Sequence, residues 1–323
     1  MEEMFAVETE ELPDVKHAIR PGMAPILKIA LVSPIVEPGD KSANLAKFID
    51  YTREAATKGA DIVLLPEVAL TGFVSKPSAW DRPLGQVYEW AETIPGPSVD
   101  RLITVARECK IYIIMGMFEA DSEFVGRLYN SAAFVGPKGL VGTYRKNTIS
   151  NRALFAEHHW GLAPGFEIPV WEIEQGWRIG LTICYDMWVP EVPRVAAVKG
   201  ADLILCSSFT PASCREAWFR VLQTRALENQ TGVARVSAGG TYYAPYIPRG
   251  MAFEGSRIAV EATQKVIVNE GTPDTEGMSI ATFTAENLYR GRGLLPELRD
   301  RQPEAYQALV KPNKLAADII PYR

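Results

Sequence analysis

The chain has 323 residues, 47% of them hydrophobic and 23% charged, with a net charge of −5. A chain this long buries a large core without disulfides or metals. Its Lys and Arg are scattered rather than clustered, which argues against a nucleic-acid surface. The four cysteines, Cys109, Cys184, Cys206 and Cys214, form no CxxC pair and point to a reducing compartment. The first 25 residues are acidic and lack a long apolar run, and nothing approaches the roughly 20 apolar residues of a membrane span. The expectation is a cytoplasmic protein that binds neither nucleic acid nor membrane.

In chain order, residues 1–25 read as an arm, interrupted by Pro13, Pro21, Gly22 and Pro25. ILKIALVS from Ile26 is a strand run. Residues 42–58 carry Leu45, Phe48, Ile49, Ala55 and Ala56 at helical spacing, closed by Gly59. ADIVLLPE is a buried strand ending in Pro66 and Glu67. Residues 71–97, rich in Gly and Pro, read as a long loop with one helical turn. A helix over 99–110 and the strand IYIIMGMFEA follow. Runs at 128–135 and 140–144 predict a hairpin, and WEIEQGWRIGLTIC predicts a second one, turning at Gln175 and Gly176. A helix over 191–199, the strand ADLILCSS, one long helix over 212–229 and the strand TGVARVSA come next. Residues 239–257 read as loop, KVIVNE and MSIATFTA as late strands, and the polar segment from Glu286 as a short helix and tail. Alternating strands and helices indicate an α/β fold with mixed sheets in one domain. GADIVLLPE and GADLILCSS hint at two similar halves.

Three residues stand at strand ends, where α/β sites form. Glu67 follows LLP, and a solvated sheet-edge carboxylate explains it as well as a pocket does. Lys146 follows LVGTYR. It is either a solvated lysine or a cation that lowers a cysteine pKa and holds a developing oxyanion. Cys184 ends WRIGLTIC just before a strand-to-helix turn. Cys206 and Cys109 fit small buried hydrophobes, and Cys214 a helix residue.

Together they resemble a known family. LLPEVALTGF resembles the glutamate motif of the carbon–nitrogen hydrolase (nitrilase) superfamily, VGTYRKNTI its lysine motif and LTICYDMWVPEVPR its cysteine motif. RALENQTGVARVSAGG, FEGS at 253–256 and GLLPELRDRQPEAY resemble further family segments. The resemblance implies a four-layer αββα sandwich over 26–285, with 286–323 as a tail at a subunit interface of a homodimer or larger assembly. It implies a Glu67–Lys146–Cys184 triad, with Glu157 in FAEHHWGLAPGF as a second, supporting glutamate. Cys184 would attack an amide carbonyl, Glu67 would move the proton, and Lys146 with the Tyr185 backbone N–H would hold the oxyanion. No cofactor or metal is expected.

Departures from relatives bear on substrate. Nitrilases proper have Trp-Glu after the cysteine, whereas this chain has Tyr185-Asp186, which favours amide or carbamoyl substrates. Carbamoylases for N-carbamoyl-D-amino acids place arginines where this chain has Met187 and Trp188, so that carboxylate clamp is missing. Phe73, Trp160, Trp188 and Tyr242 or Tyr243 suggest an aromatic-walled pocket for an apolar acyl group, although core packing explains any one of them. CYDMW followed by PE also resembles N-carbamoylputrescine amidases. A carbamoyl amine hydrolase, a nitrilase, an acyltransferase using the same thioester and a non-catalytic scaffold are the alternatives. His158 or His159 would serve a rival Cys–His dyad, at most one of them can face the site, and His158 is taken as the one lining the substrate pocket.

Overall fold

A computed structural model of the chain describes residues 14–73, 83–152, 155–158, 160–244, 247–294 and 296–311. β1 (Ile26–Ser33) leads into α1 (Lys41–Thr57), whose N-cap Asp40 accepts from the Ala43 N–H. β2 (Ile62–Leu64), α2 (Pro83–Trp90), α3 (Pro97–Cys109), β3 (Tyr112–Ala120), β4 (Leu128–Gly136) and β5 (Gly139–Arg145) complete the first half. The short strands β6 (Asn151–Arg152) and β7 (Phe155–Ala156) pair with each other. β8 (Val170–Glu172) and β9 (Arg178–Ile183) precede a 3-10 turn at Cys184–Trp188 and α4 (Glu191–Val198). β10 (Leu203–Ser208), α5 (Arg215–Asn229), β11 (Gly232–Ser237), β12 (Thr241–Ala244) and β13 (Ile247–Ala252) follow. β14 (Arg257–Val260), β15 (Val266–Glu270), β16 (Gly277–Thr284) and α6 (Ala285–Leu294) close the fold, and a 3-10 segment at Pro303–Val310 lies in the tail.

Two six-stranded sheets form the centre, ordered β16-β1-β2-β3-β4-β5 and β15-β14-β11-β10-β9-β8. Each has a parallel middle, β1-β2-β3 and β9-β10-β11, flanked by antiparallel strands. The matched segments noted in the sequence are β2 and β10, and both occupy the centre of their parallel trio.

Three slabs of the core pack on the sheets, and a fourth cluster gathers around Phe73, Trp160 and Phe209. Leu27, Ile29, Leu31, Ile114, Phe134, Leu181, Leu203 and Leu205 face one another between the sheets. Ala30, Val32, Val63 and Ile113 point the other way, onto Phe48, Leu102 and Val105 of α1 and α3. Ile204, Val233 and Ile258 meet Trp218 and Leu222 of α5 and Ala196 of α4. Alternation along buried strands therefore feeds both faces of each sheet. This is the expected four-layer αββα sandwich. The described part of the N-terminal arm packs on its own chain: Arg20 pairs with buried Asp202 at 2.7 Å, and Ala24 accepts from the Trp177 indole.

Several local expectations give way. The segment read as loop over 71–97 contains a two-turn helix, because Pro83 suits a first helical position and Val87 and Trp90 are buried three residues apart. The loop read over 239–257 holds the β12–β13 hairpin, and the next strand, β14, was not anticipated; Gly and Pro obscured the first, and four residues are too few to show a period. The single helix over 212–229 divides into a 3-10 turn at Ala212–Cys214 and α5.

Candidate active site

Glu67 sits where the chain leaves β2 and turns beneath β3. Val68, a β-branched residue, has a φ of 41°, a conformation that only surrounding structure sustains. Gly116 on β3 permits the turn: a Cβ there would stand 2.3 Å from the Pro66 carbonyl oxygen and 2.7 Å from the Glu67 Cα. The Glu67 carboxylate is thereby held in the interior, with no solvent exposure.

Lys146, one residue beyond β5, meets it there. Its ammonium donates to Glu67 Oε1 at 2.7 Å and to Glu157 Oε2 at 2.8 Å. Asn130 of β4 also donates to both carboxylates, at 2.8 Å to Glu67 and 2.7 Å to Glu157. The Ser150 N–H fixes Glu157 from the other side at 2.8 Å. Glu67 Oε2 is buried and has no hydrogen-bond partner among the described residues. Burial above all, and the charge of Glu157, push the Glu67 pKa upward against the pull of Lys146. Burial pulls the Lys146 pKa down, but Glu157 and Glu67 outweigh it and hold the ammonium firmly protonated.

Cys184 begins the 3-10 turn after β9 with a φ of 44°, so the chain reverses sharply at the sulfur-bearing residue. Asp186, fully buried, secures that turn. It accepts from the Ile183 N–H at 3.0 Å, the Tyr144 hydroxyl at 2.7 Å and the Thr148 N–H at 2.7 Å. One carboxylate thus ties the cysteine turn to the segment carrying Lys146. The Cys184 thiol lies 3.8 Å from the Thr210 hydroxyl. Its pKa is raised, by burial first and then by the Glu67 charge, and Lys146 opposes this only in part. The lowered cysteine pKa expected beside Lys146 does not arise. The resting group is a thiol, and the Glu67 carboxylate stands in the same cavity.

That cavity encloses about 300 Å³, and Glu67, Lys146, Cys184 and Tyr185 all line it. Phe73, Trp188, Phe209, Pro211, Trp218 and Met251 form most of the remaining wall. Edge-on ring pairs brace it, Trp188 with Trp218 at 5.2 Å and Phe73 with Phe209 at 5.1 Å. Lys146 is the only cation among the described lining residues. Trp160 and Tyr242 stand one layer back: Trp160 packs on Phe73, and Tyr242 packs on Phe209 with its hydroxyl bonded to the Val36 backbone. His158 is exposed, and His159 lies outside the described residues. The sequence reading missed Asn130, Ser208, Thr210, Phe209 and Trp218. Asn130 carried a signal, being a polar residue within an otherwise apolar strand. No group of three or more metal-ligating side chains occurs among the described residues.

A model of the carbon–nitrogen hydrolase family matches residues 28–292. The chain is 31% identical to the omega-amidase NIT2 of Homo sapiens over 280 residues, covering 84% of this chain and 94% of the relative. It is likewise 31% identical to a nitrilase of Pyrococcus abyssi over 273 residues, covering 81% and 88%. Among solved structures, a carbon–nitrogen hydrolase from Helicobacter pylori superposes with a TM-score of 0.77 at 22% identity, covering 88% of this chain and 99% of that one. A variant of the amidase from Nesterenkonia sp., with the acetamide moiety of fluoroacetamide added covalently at its active-site cysteine, superposes with a TM-score of 0.70 at 21% identity, covering 90% and 99%. With the match spanning both sheets and all three motifs, the chain belongs to the carbon–nitrogen hydrolase family and is an enzyme acting on carbon–nitrogen bonds.

Proposed function

We propose that the enzyme hydrolyses a small amide with an uncharged, apolar acyl half, giving an acid and ammonia or an amine through a thioester on Cys184. The observation that carries this is the meeting of Glu67, Lys146 and Cys184 in the lining of an aromatic cavity, with Glu67 Oε2 buried and unpartnered among the described residues. Glu67, made more basic by burial, takes the thiol proton as sulfur attacks the carbonyl carbon. Lys146 and the Tyr185 backbone N–H receive the oxyanion. Glu67 returns the proton to the leaving nitrogen, then takes one from the water that opens the thioester. Glu157 and Asn130 keep Lys146 and Glu67 in register. The apolar wall, with Lys146 already held by two carboxylates, favours an acyl half without its own carboxylate.

The relatives named omega-amidase and amidase support the amide reading. A panel of aliphatic and aromatic amides, N-carbamoyl amines and nitriles, assayed for ammonia release with mass spectrometry of the acyl-enzyme, tests it. Turnover of an apolar amide and its loss in Cys184→Ala are the expected results. Unchanged turnover in Cys184→Ala removes the nucleophile, and preference for carbamoyl amines or nitriles replaces the substrate class.

Two further features belong to this reading. The described cysteines are all free, which suits a cytoplasmic enzyme. The tail over 286–323, with exposed Leu309 and Val310, suits a homodimer interface. No helix among the described residues is long and apolar enough to cross a membrane.

A further inference from the structure

Behind Cys184 lies a polar cluster that the steps above do not use. Arg235 of β11 is completely buried and its guanidinium lies 4.0 Å over the Trp218 ring. Nη1 pairs with buried Glu254 at 2.7 Å and reaches Ser256 at 3.0 Å. Nη2 donates to two hydroxyls at once, Thr210 at 2.8 Å and Ser208 at 3.1 Å. Those hydroxyls are 2.8 Å apart, and the Thr210 hydroxyl lies 3.8 Å from the Cys184 sulfur.

Counting protons gives the direction. A guanidinium donates only and accepts nothing. The two hydroxyls carry two protons between them, and one proton bridges the pair. The other cannot point to Arg235, and among the described residues the neighbour left to accept it is the Cys184 sulfur. We propose that Ser208 and Thr210, oriented by Arg235, direct a hydroxyl proton onto Cys184 Sγ and stabilise its thiolate as Glu67 removes the thiol proton. Thr210 touches the reacting atom, whereas Ser208, Arg235 and Glu254 act through it and are positioning residues. The proposal rests on Cys184 being the nucleophile.

The sulfur also feels Glu67, which disfavours the thiolate, and Lys146, which favours it. Cys206 on β10 is a further titrating neighbour, but burial pushes its thiol up to about 11 and keeps it neutral. Thr210 is otherwise fixed through its backbone: its N–H donates to Ser237 and its carbonyl accepts from the Glu254 N–H. An isosteric change at its hydroxyl therefore alters the proton donor while these backbone ties remain.

The test is the pH dependence of Cys184 alkylation by iodoacetamide, with the modified residue identified by mass spectrometry, alongside kcat/KM. In Ser208→Ala/Thr210→Val the alkylation inflection should move up by about one unit, slowing the reaction roughly tenfold at a pH below it. Arg235→Met/Glu254→Met, which removes both charges together and strands neither, should shift it in the same direction. Thr210→Ser should retain the parent profile. An unshifted inflection in Ser208→Ala/Thr210→Val, with circular dichroism and melting like the parent, overturns the proposal. If Cys184→Ala instead keeps full turnover, the nucleophile assignment itself has failed. The two failures are therefore distinguishable.

Discussion

Lys146 answers two buried carboxylates with one charge, so the cluster with Glu67 and Glu157 ionised carries a net negative charge inside the protein. Burial first, and that imbalance after it, make Glu67 hold a proton more tightly than an ordinary carboxylate. Replacing Glu157 with Gln removes the repulsion, so the Glu67 pKa falls. The acidic limb of kcat/KM in Glu157→Gln should move to lower pH, and an unmoved or raised limb would contradict the role given to Glu157. Stability follows with a definite sign. Because the folded pKa of Glu67 lies above its unfolded value, near 4.3, the folded state binds more protons between the two. This contribution is fully present below the unfolded pKa and is lost as pH rises through the folded one. Glu67→Gln, whose side chain still accepts from Lys146, escapes that loss. It should lose about 10²–10⁴-fold in kcat as a general-base deletion, while its melting temperature gains on the parent as pH rises from 4 to 8. Parallel melting curves across that range would count against a raised Glu67 pKa.

At the scale of elements, the site depends on two tight reversals, at Glu67-Val68 and at Cys184. Gly116 governs the first. Gly116→Ala puts a methyl group against the Pro66 carbonyl, and that backbone has to move. An overpacked site of this kind costs about 1–3 kcal/mol, and an ångström of displacement at a reacting group costs on the order of 10²-fold in rate. The variant should therefore fold with a lower melting temperature and lose kcat out of proportion to KM. A parent-like kcat would show that Glu67 tolerates displacement. These reversals also mark where the sequence was legible. The apolar runs before Glu67 and Cys184 announce β2 and β9 because buried strands need side chains for both faces. The run LILCSS announces β10 for the same reason. Nothing local announces Gly116 as the strand's point of closest approach, or Asn130, Thr210 and Arg235 as site residues. Their partners lie far along the chain: Asn130 meets Glu67 across 63 positions and Arg235 meets Thr210 across 25. The β12–β13 hairpin stayed hidden because its pairing tolerates the Gly and Pro that read as loop.

On the molecular scale, the turn that carries the proposed nucleophile is supported from the outer helix layer. The cysteine turn runs through Pro190 directly into α4, and buried Arg225 of α5 donates to the Met187 carbonyl within that turn at 2.9 Å. The same two helices present apolar side chains outward, Val198 at 52% exposure and Leu227 at 39%. Arg194 on α4 bonds the Glu228 carbonyl on α5 and also borders a groove with Arg301, Tyr306 and Leu309 of the tail. Helices and tail thus form one partly apolar face, of the kind that a second copy covers. The expected assembly is a dimer through this face, seen by size-exclusion chromatography with light scattering at micromolar concentration. Val198→Glu/Leu227→Glu places charges where each copy would meet the other, so the mass should fall to that of a monomer. Because α4 and α5 also hold the cysteine turn, kcat should fall with the mass and recover in part at higher protein concentration. A parent that runs as a monomer would remove the dimer. A monomeric variant with full kcat would leave the dimer standing and show that the turn needs no support from across the interface.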